Sequence, residues 1–254
     1  MATSLISKVI IEQALALLRI DNFLDKKDII DDKLQIDHPL ADHTKYDPKQ
    51  LIKLLQDILS HADDDGGLRV YFGSRDDHDD NPLTLIYAPT HKKDAHNVFR
   101  DVGKYFIIDT DDFERPVDTD RAKSWVKRYK EVYLPVLQQH GLIETQVMFY
   151  NIATITELAK FIKDHGELKS SKVHFAAYLH KDDPYITKFN GDDYKYPNQL
   201  TLIFGLRGPR IGVDSANLRK TNDLLFIASG ASGDTGNPCP PPNTGCNGAL
   251  LLAS

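Results

Sequence analysis

The chain has few of the features that mark membrane proteins, nucleic-acid binders or disulfide-rich secreted proteins. Its 254 residues include two cysteines, Cys239 and Cys246, both near the C-terminus. The body of the protein therefore does not depend on disulfides. The formal net charge of -6 argues against a nucleic-acid ligand, because phosphate binding needs clustered cations. The densest basic segment has the spacing of a solvated helix face and carries Lys123, Lys127, Arg128 and Lys130.

Long hydrophobic runs are also missing. No stretch approaches the roughly 20 apolar residues that a bilayer-spanning helix needs. The apolar N-terminal run is interrupted by Glu12 and Gln13, and no small-residue cleavage site follows. The pattern therefore predicts an amphipathic helix over residues 4–18 rather than a signal peptide. We expect a cytoplasmic protein that does not enter a membrane.

The chain does contain a repeated pattern. An order of apolar helix, strand, acidic turn and strand over residues 51–86 returns over residues 158–203. The repeat predicts an internal duplication in which each copy forms one compact unit that packs against the other. Two pairs of segments show the closest matches: residues 71–77 with residues 178–183, and residues 83–87 with residues 200–204.

These patterns predict an α+β fold made of two tandem duplicated modules, related by a pseudo-twofold axis. The first module covers residues 1–115 and the second covers residues 116–229. Each is expected to combine helices with a roughly three-stranded antiparallel meander. The tail over residues 230–254 is rich in glycine and proline, and it cannot bury enough apolar surface to fold alone.

The predicted elements follow from hydrophobic spacing and from turn residues. Asp47 and Pro48 predict the start of a helix over residues 48–60, and the polar residues before them predict irregular structure. In the second module, Pro135 predicts a kink or a break in a helix over residues 121–140, and Gly141 predicts its end. A further helix is expected over residues 156–165. Strands are expected at residues 68–72, 83–87, 105–108, 173–178, 200–204 and 225–227.

Acidic hairpin tips are the main candidates for a metal site. The first tip contributes Asp76, Asp77 and His78, and the second contributes Asp182 and Asp183. Carboxylates this close repel each other unless a cation or solvent screens them, so a divalent cation is a physically sensible ligand. The spacing fits no calcium-loop template, and acidic tips also promote turns and solubility. Both interpretations remain open.

A second cluster places Asp37, His38, Asp42 and His43 within seven residues. Structural zinc normally has four rigidly held ligands, and this segment supplies no cysteine. Elsewhere in the body, no serine or cysteine lies in a recognisable activating context, so nucleophilic catalysis has no candidate.

The second half also carries a resemblance to known sequences. Trp125 and Tyr129 lie four residues apart on one predicted helix, another helix ends near Gly166, a strand pair follows, and Cys239 precedes three prolines. In these features residues 121–246 resemble a group of small bacterial proteins with an aromatic helix, a β-hairpin core and a Cys-Pro-Pro-rich C-terminal tail. The first half resembles a diverged copy without the tail. The resemblance supports the module boundaries and implies no activity.

The sequence favours a non-enzymatic interaction or structural protein that binds a protein partner or assembles with itself. Unpaired outer strands could recruit another chain by strand addition. One alternative is a metal-dependent hydrolase that uses the acidic loops and a divalent cation. Another is a small-ligand binding module in the crevice between the repeats, which rests on analogy with other duplicated folds. No other cofactor is expected.

Overall fold

The computed structural model describes residues 10–11, 13–34, 43–75, 83–93, 99–108, 115–142, 145–164, 170–179, 187–189, 192–194, 198–207, 224–228 and 237–239. The helices are α1 Gln13–Leu34, α2 Pro48–His61, α3 Thr119–Arg128, α4 Leu134–Gln139 and α5 Ile152–Asp164, with a π-helical segment at Tyr129–Tyr133. The strands are β1 Ile10–Ile11, β2 His43–Tyr46, β3 Gly67–Ser74, β4 Leu83–Lys92, β5 Phe99–Asp101, β6 Tyr105–Ile107, β7 Arg115–Val117, β8 Val147–Asn151, β9 Ser170–Ala177, β10 Thr187–Phe189, β11 Asp192–Tyr194, β12 Leu200–Arg207, β13 Leu224–Ala228 and β14 Asn237–Cys239.

The strands form two antiparallel sheets and one separate ribbon. Sheet 1 has the order β1-β13-β12-β9-β2, and sheet 2 has the order β14-β8-β3-β4-β6-β7, with β5 also pairing with β4. Strands β10 and β11 pair only with each other among the described residues. Helices and antiparallel sheets together confirm the predicted α+β class. Each sheet contains strands from both halves of the chain.

Three hydrophobic clusters arrange these elements in layers. The main core joins one face of each sheet to α2, α5, the π-helical segment and α4. The outer face of sheet 2 packs against α3, where Trp125 is buried. The outer face of sheet 1 packs against α1 through Ala16 and Ile20. Within these described residues, no helix combines the length and the apolar character that a membrane-spanning helix requires.

Helix α2 begins as the sequence predicts. The Asp47 side chain accepts a hydrogen bond from the backbone N–H of Lys49 at 2.7 Å. The Gln50 side chain accepts one from the backbone N–H of Asp47 at 3.2 Å, which completes a capping box. Helix α5 begins similarly, because the side-chain oxygen of Asn151 accepts from the backbone N–H of Thr154 at 2.9 Å. Both caps satisfy amides that lack partners in the first helical turn.

The helix predicted over residues 121–140 is interrupted where proline requires it. The backbone N–H of Leu134 donates to the carbonyl of Tyr129, five residues earlier. This wider π turn directly precedes Pro135, whose ring would clash with a carbonyl in a regular helix. Gly141, with φ of 75°, ends the helix, and the N–H of Leu142 donates back to the carbonyl of Leu137 at 3.0 Å. The helix therefore continues through Pro135 with a π turn in place of a break, and its predicted end is confirmed.

The N-terminal region differs from the prediction of a helix over residues 4–18 and an irregular segment after it. Residues 4–9 lie outside the described residues, Ile10 and Ile11 form β1, helix α1 begins at Gln13 and continues to Leu34, and β2 forms before α2. The prediction placed Leu17 and Leu18 on the buried face of the helix, but they are 42% and 53% exposed. Phe23, beyond the predicted end, is instead buried, and its ring centroid lies 5.9 Å from that of Phe175. Strand β2 lacks an alternating apolar pattern, and it forms by pairing with the edge of β9.

Candidate functional sites

The residues predicted to bind a metal lie outside the described residues: Asp76, Asp77, His78, Asp182 and Asp183. The same holds for three members of the second cluster, Asp37, His38 and Asp42, whereas His43 begins β2. In the described part of the chain, no group of three or more histidine, cysteine, aspartate or glutamate side chains could hold a metal ion. The proposed metal site therefore stays a prediction.

A buried polar cluster lies at the end of sheet 2, and we call Arg69, Tyr71, Asp101 and Tyr105 the Arg69 cluster. Nη1 of Arg69 lies 2.6 Å from Oδ1 of Asp101, and both side chains are fully buried. Nη2 of Arg69 donates to the carbonyl of Phe99 at 2.9 Å. The hydroxyls of Tyr71 and Tyr105 donate to Oδ2 of Asp101 at 2.5 Å and 3.4 Å.

The geometry of the Arg69 cluster indicates a structural role. Asp101 accepts hydrogen bonds from three side chains, and the Arg69 guanidinium balances its charge. A buried ion pair needs such additional hydrogen bonds because both charges lose their hydration. The cluster ties the short strand β5 to β3 and β6. Sequence reasoning missed it, although Arg69 and Tyr71 alternate with apolar Leu68 and Val70, which is the signal of a polar stripe on a buried strand.

Three buried tyrosines are held in their protonated form. Burial, together with the negative charge of Asp101, raises the pKa of Tyr71 well above its ordinary value. The same two causes raise the pKa of Tyr105. Burial also raises the pKa of Tyr87, whose hydroxyl shares a 2.8 Å hydrogen bond with that of Tyr46. This last bond links sheet 1 to sheet 2 through the main core.

Stability should consequently fall at alkaline pH. The unfolded chain ionises tyrosine near pH 10, whereas the folded chain holds Tyr71, Tyr87 and Tyr105 protonated to higher pH. Their contribution is therefore complete below about pH 10 and is lost as the pH rises through their folded-state pKa values. Each tyrosine adds a slope of up to about 1.4 kcal/mol per pH unit.

Urea unfolding at a series of alkaline pH values would measure this slope in the free energy of unfolding. The variant Tyr71→Phe should make it shallower by up to about 1.4 kcal/mol per pH unit. An identical slope in the variant and the wild type would contradict the assignment.

A narrow apolar crevice lies within the main core. Its walls include Phe23, Phe72, Leu83, Tyr129, Phe175 and Leu200. The hydroxyl of Tyr129 donates to the carbonyl of Thr145 at 3.2 Å, so this hydroxyl already has a hydrogen-bond partner within the protein. The crevice is too small for more than about one water molecule, and the small-ligand alternative stays a prediction.

The edges of the two sheets differ. Strand β14, from the tail, pairs with β8 at the edge of sheet 2, with Asn237 opposite Phe149 and Cys239 opposite Val147. Sheet 1 ends at β2, and no strand pairs with the other side of β2 in the part of the chain that the structure describes. We call this side of β2 the β2 edge. Its inner neighbour is β9, with His43 opposite His174 and Lys45 opposite Lys172.

Comparison of the chain with protein-family models, curated proteins and solved structures gave no match.

Proposed function

We propose that this chain is a non-enzymatic interaction protein built from two copies of one β-α-β-α-β-β-β unit. Unit 1 comprises β1, α1, β2, α2, β3, β4 and β6. Unit 2 comprises β7, α3 with α4, β8, α5, β9, β12 and β13. In each sheet the last three strands of one unit are flanked by the first two strands of the other. The units thus exchange strands about the proposed pseudo-twofold axis.

The buried positions of the helices support this correspondence. At one constant spacing, the four buried positions of α2 match buried positions of α5: Leu51 with Ile155, Leu54 with Leu158, Leu55 with Ala159, and Ile58 with Ile162. At another constant spacing, buried positions of α1 match those at and just after α3: Ala16 with Ala122, Arg19 with Trp125, Ile20 with Val126, and Phe23 with Tyr129. Many amphipathic helices bury positions with this spacing, so the correspondence gains its weight from the agreement of two helix pairs with the strand order.

The strand registers support it as well. Four cross-strand pairs of sheet 1 have counterparts in sheet 2: Leu200–Ala177 with Leu83–Ser74, His43–His174 with Val147–Tyr71, Phe204–Ile227 with Tyr87–Phe106, and Ile10–Ile227 with Pro116–Phe106. This alignment keeps the match between residues 83–87 and 200–204. The same alignment makes Tyr71 the counterpart of His174 and not of Tyr178. The match of residues 71–77 with residues 178–183 is therefore shifted by four residues along the strand.

Aromatic contacts recur between corresponding residues. The ring centroids of Phe72 and Tyr129 lie 5.6 Å apart, and those of their counterparts Phe175 and Phe23 lie 5.9 Å apart. Phe72 and Phe175 also contact each other, at 6.0 Å. A residue that contacts its own counterpart must lie near the axis that relates the two copies. We therefore place the proposed axis between Phe72 and Phe175.

One recurring contact has exchanged its partners. The guanidinium of Arg75, which directly follows β3 of unit 1, lies 5.4 Å from the ring centroid of Trp125 on α3 of unit 2. At the corresponding positions, the guanidinium of Arg19 lies 4.4 Å from the ring of Tyr178. The helix supplies the ring in one case and the cation in the other. A cation–π attraction survives such an exchange because it needs one cation and one ring.

Strand addition is the function that this architecture supports best. The observation that carries the proposal is that β14 already adds to the edge of β8, while the corresponding strand β2 has no added strand among the described residues. Unit 1 ends at β6, and the next strand in the chain is β7 of unit 2, which pairs with β6. No strand equivalent to β14 therefore follows unit 1 among the described residues. Unpaired backbone groups at such an edge can recruit a strand from another chain.

A peptide experiment tests strand addition. A fluorescent eight-residue peptide of alternating threonine and valine should bind the full chain, because backbone hydrogen bonds tolerate many side chains. Methylation of two consecutive central amides removes a donor from each edge of the peptide and should abolish binding. Hydrogen exchange should show protection of β2 only with the unmethylated peptide. Equal binding of the two peptides would refute strand addition.

The hydrolase alternative depends on the acidic tips that contain Asp76 and Asp182. Elemental analysis of the purified protein, with thermal shifts in calcium, magnesium, manganese and zinc, distinguishes it from an interaction protein. A stoichiometric metal that stabilises the fold would favour the hydrolase.

A further inference from the structure

We infer that the outer face of α1 binds, in a second copy of this chain, the outer face of α3 and of the π-helical segment that follows it. The inference goes beyond the proposed strand addition, because neither face includes β2. Helix α1 packs on the outer face of sheet 1, and α3 packs on the outer face of sheet 2. The two helices therefore lie on opposite sides of the main core, and each copy could contact two neighbours.

Exposed apolar side chains are concentrated on these two faces. The described residues include four large hydrophobic side chains that are exposed: Leu17, Leu18, Val102 and Val132. Leu17 and Leu18 belong to α1, and Val132 belongs to the π-helical segment. Pro135, about one turn beyond Val132, is exposed as well. Such side chains gain free energy when a partner removes them from water.

The charges beside these apolar residues have opposite signs on the two faces. On α1, Asp21 and Asp25 are exposed, and like charges four residues apart on a helix repel each other. On α3, Lys127 and Arg128 are exposed. At the constant spacing that relates α1 to α3, Asp21 corresponds to Lys127, so equivalent positions carry opposite charges. Glu131 contacts Lys127 at 3.8 Å, but both side chains are 63% exposed, so this ion pair contributes little.

The order of the residues along each helix fits an antiparallel contact. On α1, apolar Leu18 precedes acidic Asp25 by seven residues, and on the other face basic Arg128 precedes apolar Pro135 by seven residues. At about 1.5 Å per residue, each separation is about 10 Å. An antiparallel arrangement therefore brings apolar to apolar and anion to cation at the same time. Asp120 lies beyond the position opposite Asp25, and a parallel arrangement would instead oppose leucines to cations.

A second copy is a sufficient partner because one chain carries both complementary faces. The two contacting faces differ, so the contact is heterologous and forms rings or open chains rather than a symmetric dimer. A contact of one helical face on each side is smaller than the standard protein interface of about 1,600 Å². We therefore expect weak association that requires a high protein concentration.

Charge reversal on each face provides the test. Sedimentation equilibrium of the full chain should show an average molar mass that rises with protein concentration. The double variant Asp21→Lys with Asp25→Lys should weaken association by about tenfold or more, because cations would then face cations. Lys127→Glu with Arg128→Glu should weaken it similarly. An equimolar mixture of the two variants should associate again, since each variant then offers a face of opposite charge to the other.

Two further variants separate the contact from a general effect of charge. Lys160→Glu with Lys163→Glu makes the same change of net charge at exposed positions of α5, and it should leave association unchanged. Leu17→Ser with Leu18→Ser keeps the net charge and should weaken association, because the contact would then bury less apolar surface. Circular dichroism of each variant checks that it remains folded.

Several outcomes would overturn the inference. A strict monomer at every concentration would leave these faces to a different protein. Association that neither charge variant weakens would place the contact elsewhere. Association that the threonine–valine peptide blocks, while both charge variants retain it, would assign self-association to the β2 edge. Because β2 lies outside the contact, the peptide should bind the wild type and the variants equally, and its failure to bind the wild type would refute strand addition alone.

Discussion

The variant Asp101→Asn should unfold with a free energy about 3–5 kcal/mol lower than that of the wild type. The substitution keeps the shape of the side chain and removes its charge. The Arg69 guanidinium would then remain fully buried without its counter-ion, and Tyr71 would lose a charged acceptor at 2.5 Å. Urea denaturation with linear extrapolation measures the difference.

Two controls separate this effect from a general loss of surface charge. Glu131→Gln removes an ion pair with Lys127 in which both side chains are 63% exposed, and it should change stability by less than about 1 kcal/mol. Arg69→Met combined with Asp101→Leu, made in a Tyr71→Phe background so that this hydroxyl is not left without its acceptor, removes both buried charges and should recover part of the loss because no charge is left unpaired. A cost for Asp101→Asn as small as that of Glu131→Gln would contradict the assigned role.

The variants Leu54→Ala and Leu158→Ala should each lower the free energy of unfolding by about 2–5 kcal/mol. Their side chains are 0% and 2% exposed, and they lie on α2 and α5, which pack against each other in the main core. Each truncation removes buried apolar surface and leaves a cavity. Because the proposed duplication makes the two positions equivalent, the two costs should be similar.

The same correspondence provides matched controls. Gln56 on α2 and Lys160 on α5 occupy equivalent exposed positions. Substitution of either by alanine should change stability by about 0.5 kcal/mol or less. The loss in the free energy of unfolding should be similar for Leu54→Ala and Leu158→Ala. If one loss were as large as that of a core substitution and the other as small as that of a surface substitution, the two helices would not be equivalent.

Local elements with strong hydrophobic spacing could be predicted from the sequence. Helix α2 was predicted from Asp47 and Pro48 with its start correct, and the main strands of both hairpins were located within a few residues. These elements are predictable because caps, turns and apolar periodicity depend on residues that are close together in the sequence. The change to a π turn before Pro135 is also a local effect, since a proline acts on the helical turn that precedes it.

Features that depend on distant residues were not predictable. Strand β2 has no apolar alternation, and its pairing with β9 is set by residues far along the chain. Helix α1 extends beyond residue 18, and there Phe23 packs against Phe175, which is distant in the sequence. The ion pair of Arg69 with Asp101 likewise joins two strands, and neither strand's sequence indicates that the other is its partner. Such contacts become visible only when the strand order is known.

The sequence by itself determined the helices with clear caps, the hairpin strands and the recurrence of one pattern in two halves, because these depend on short-range spacing. Tertiary structure decided that β2 lies beside β9 and β8 beside β3, so that each sheet is completed by the other half of the chain. The physical reason is that a strand's backbone pairs with any suitable edge. Which edge it meets depends on how helices and sheets bury their apolar faces together.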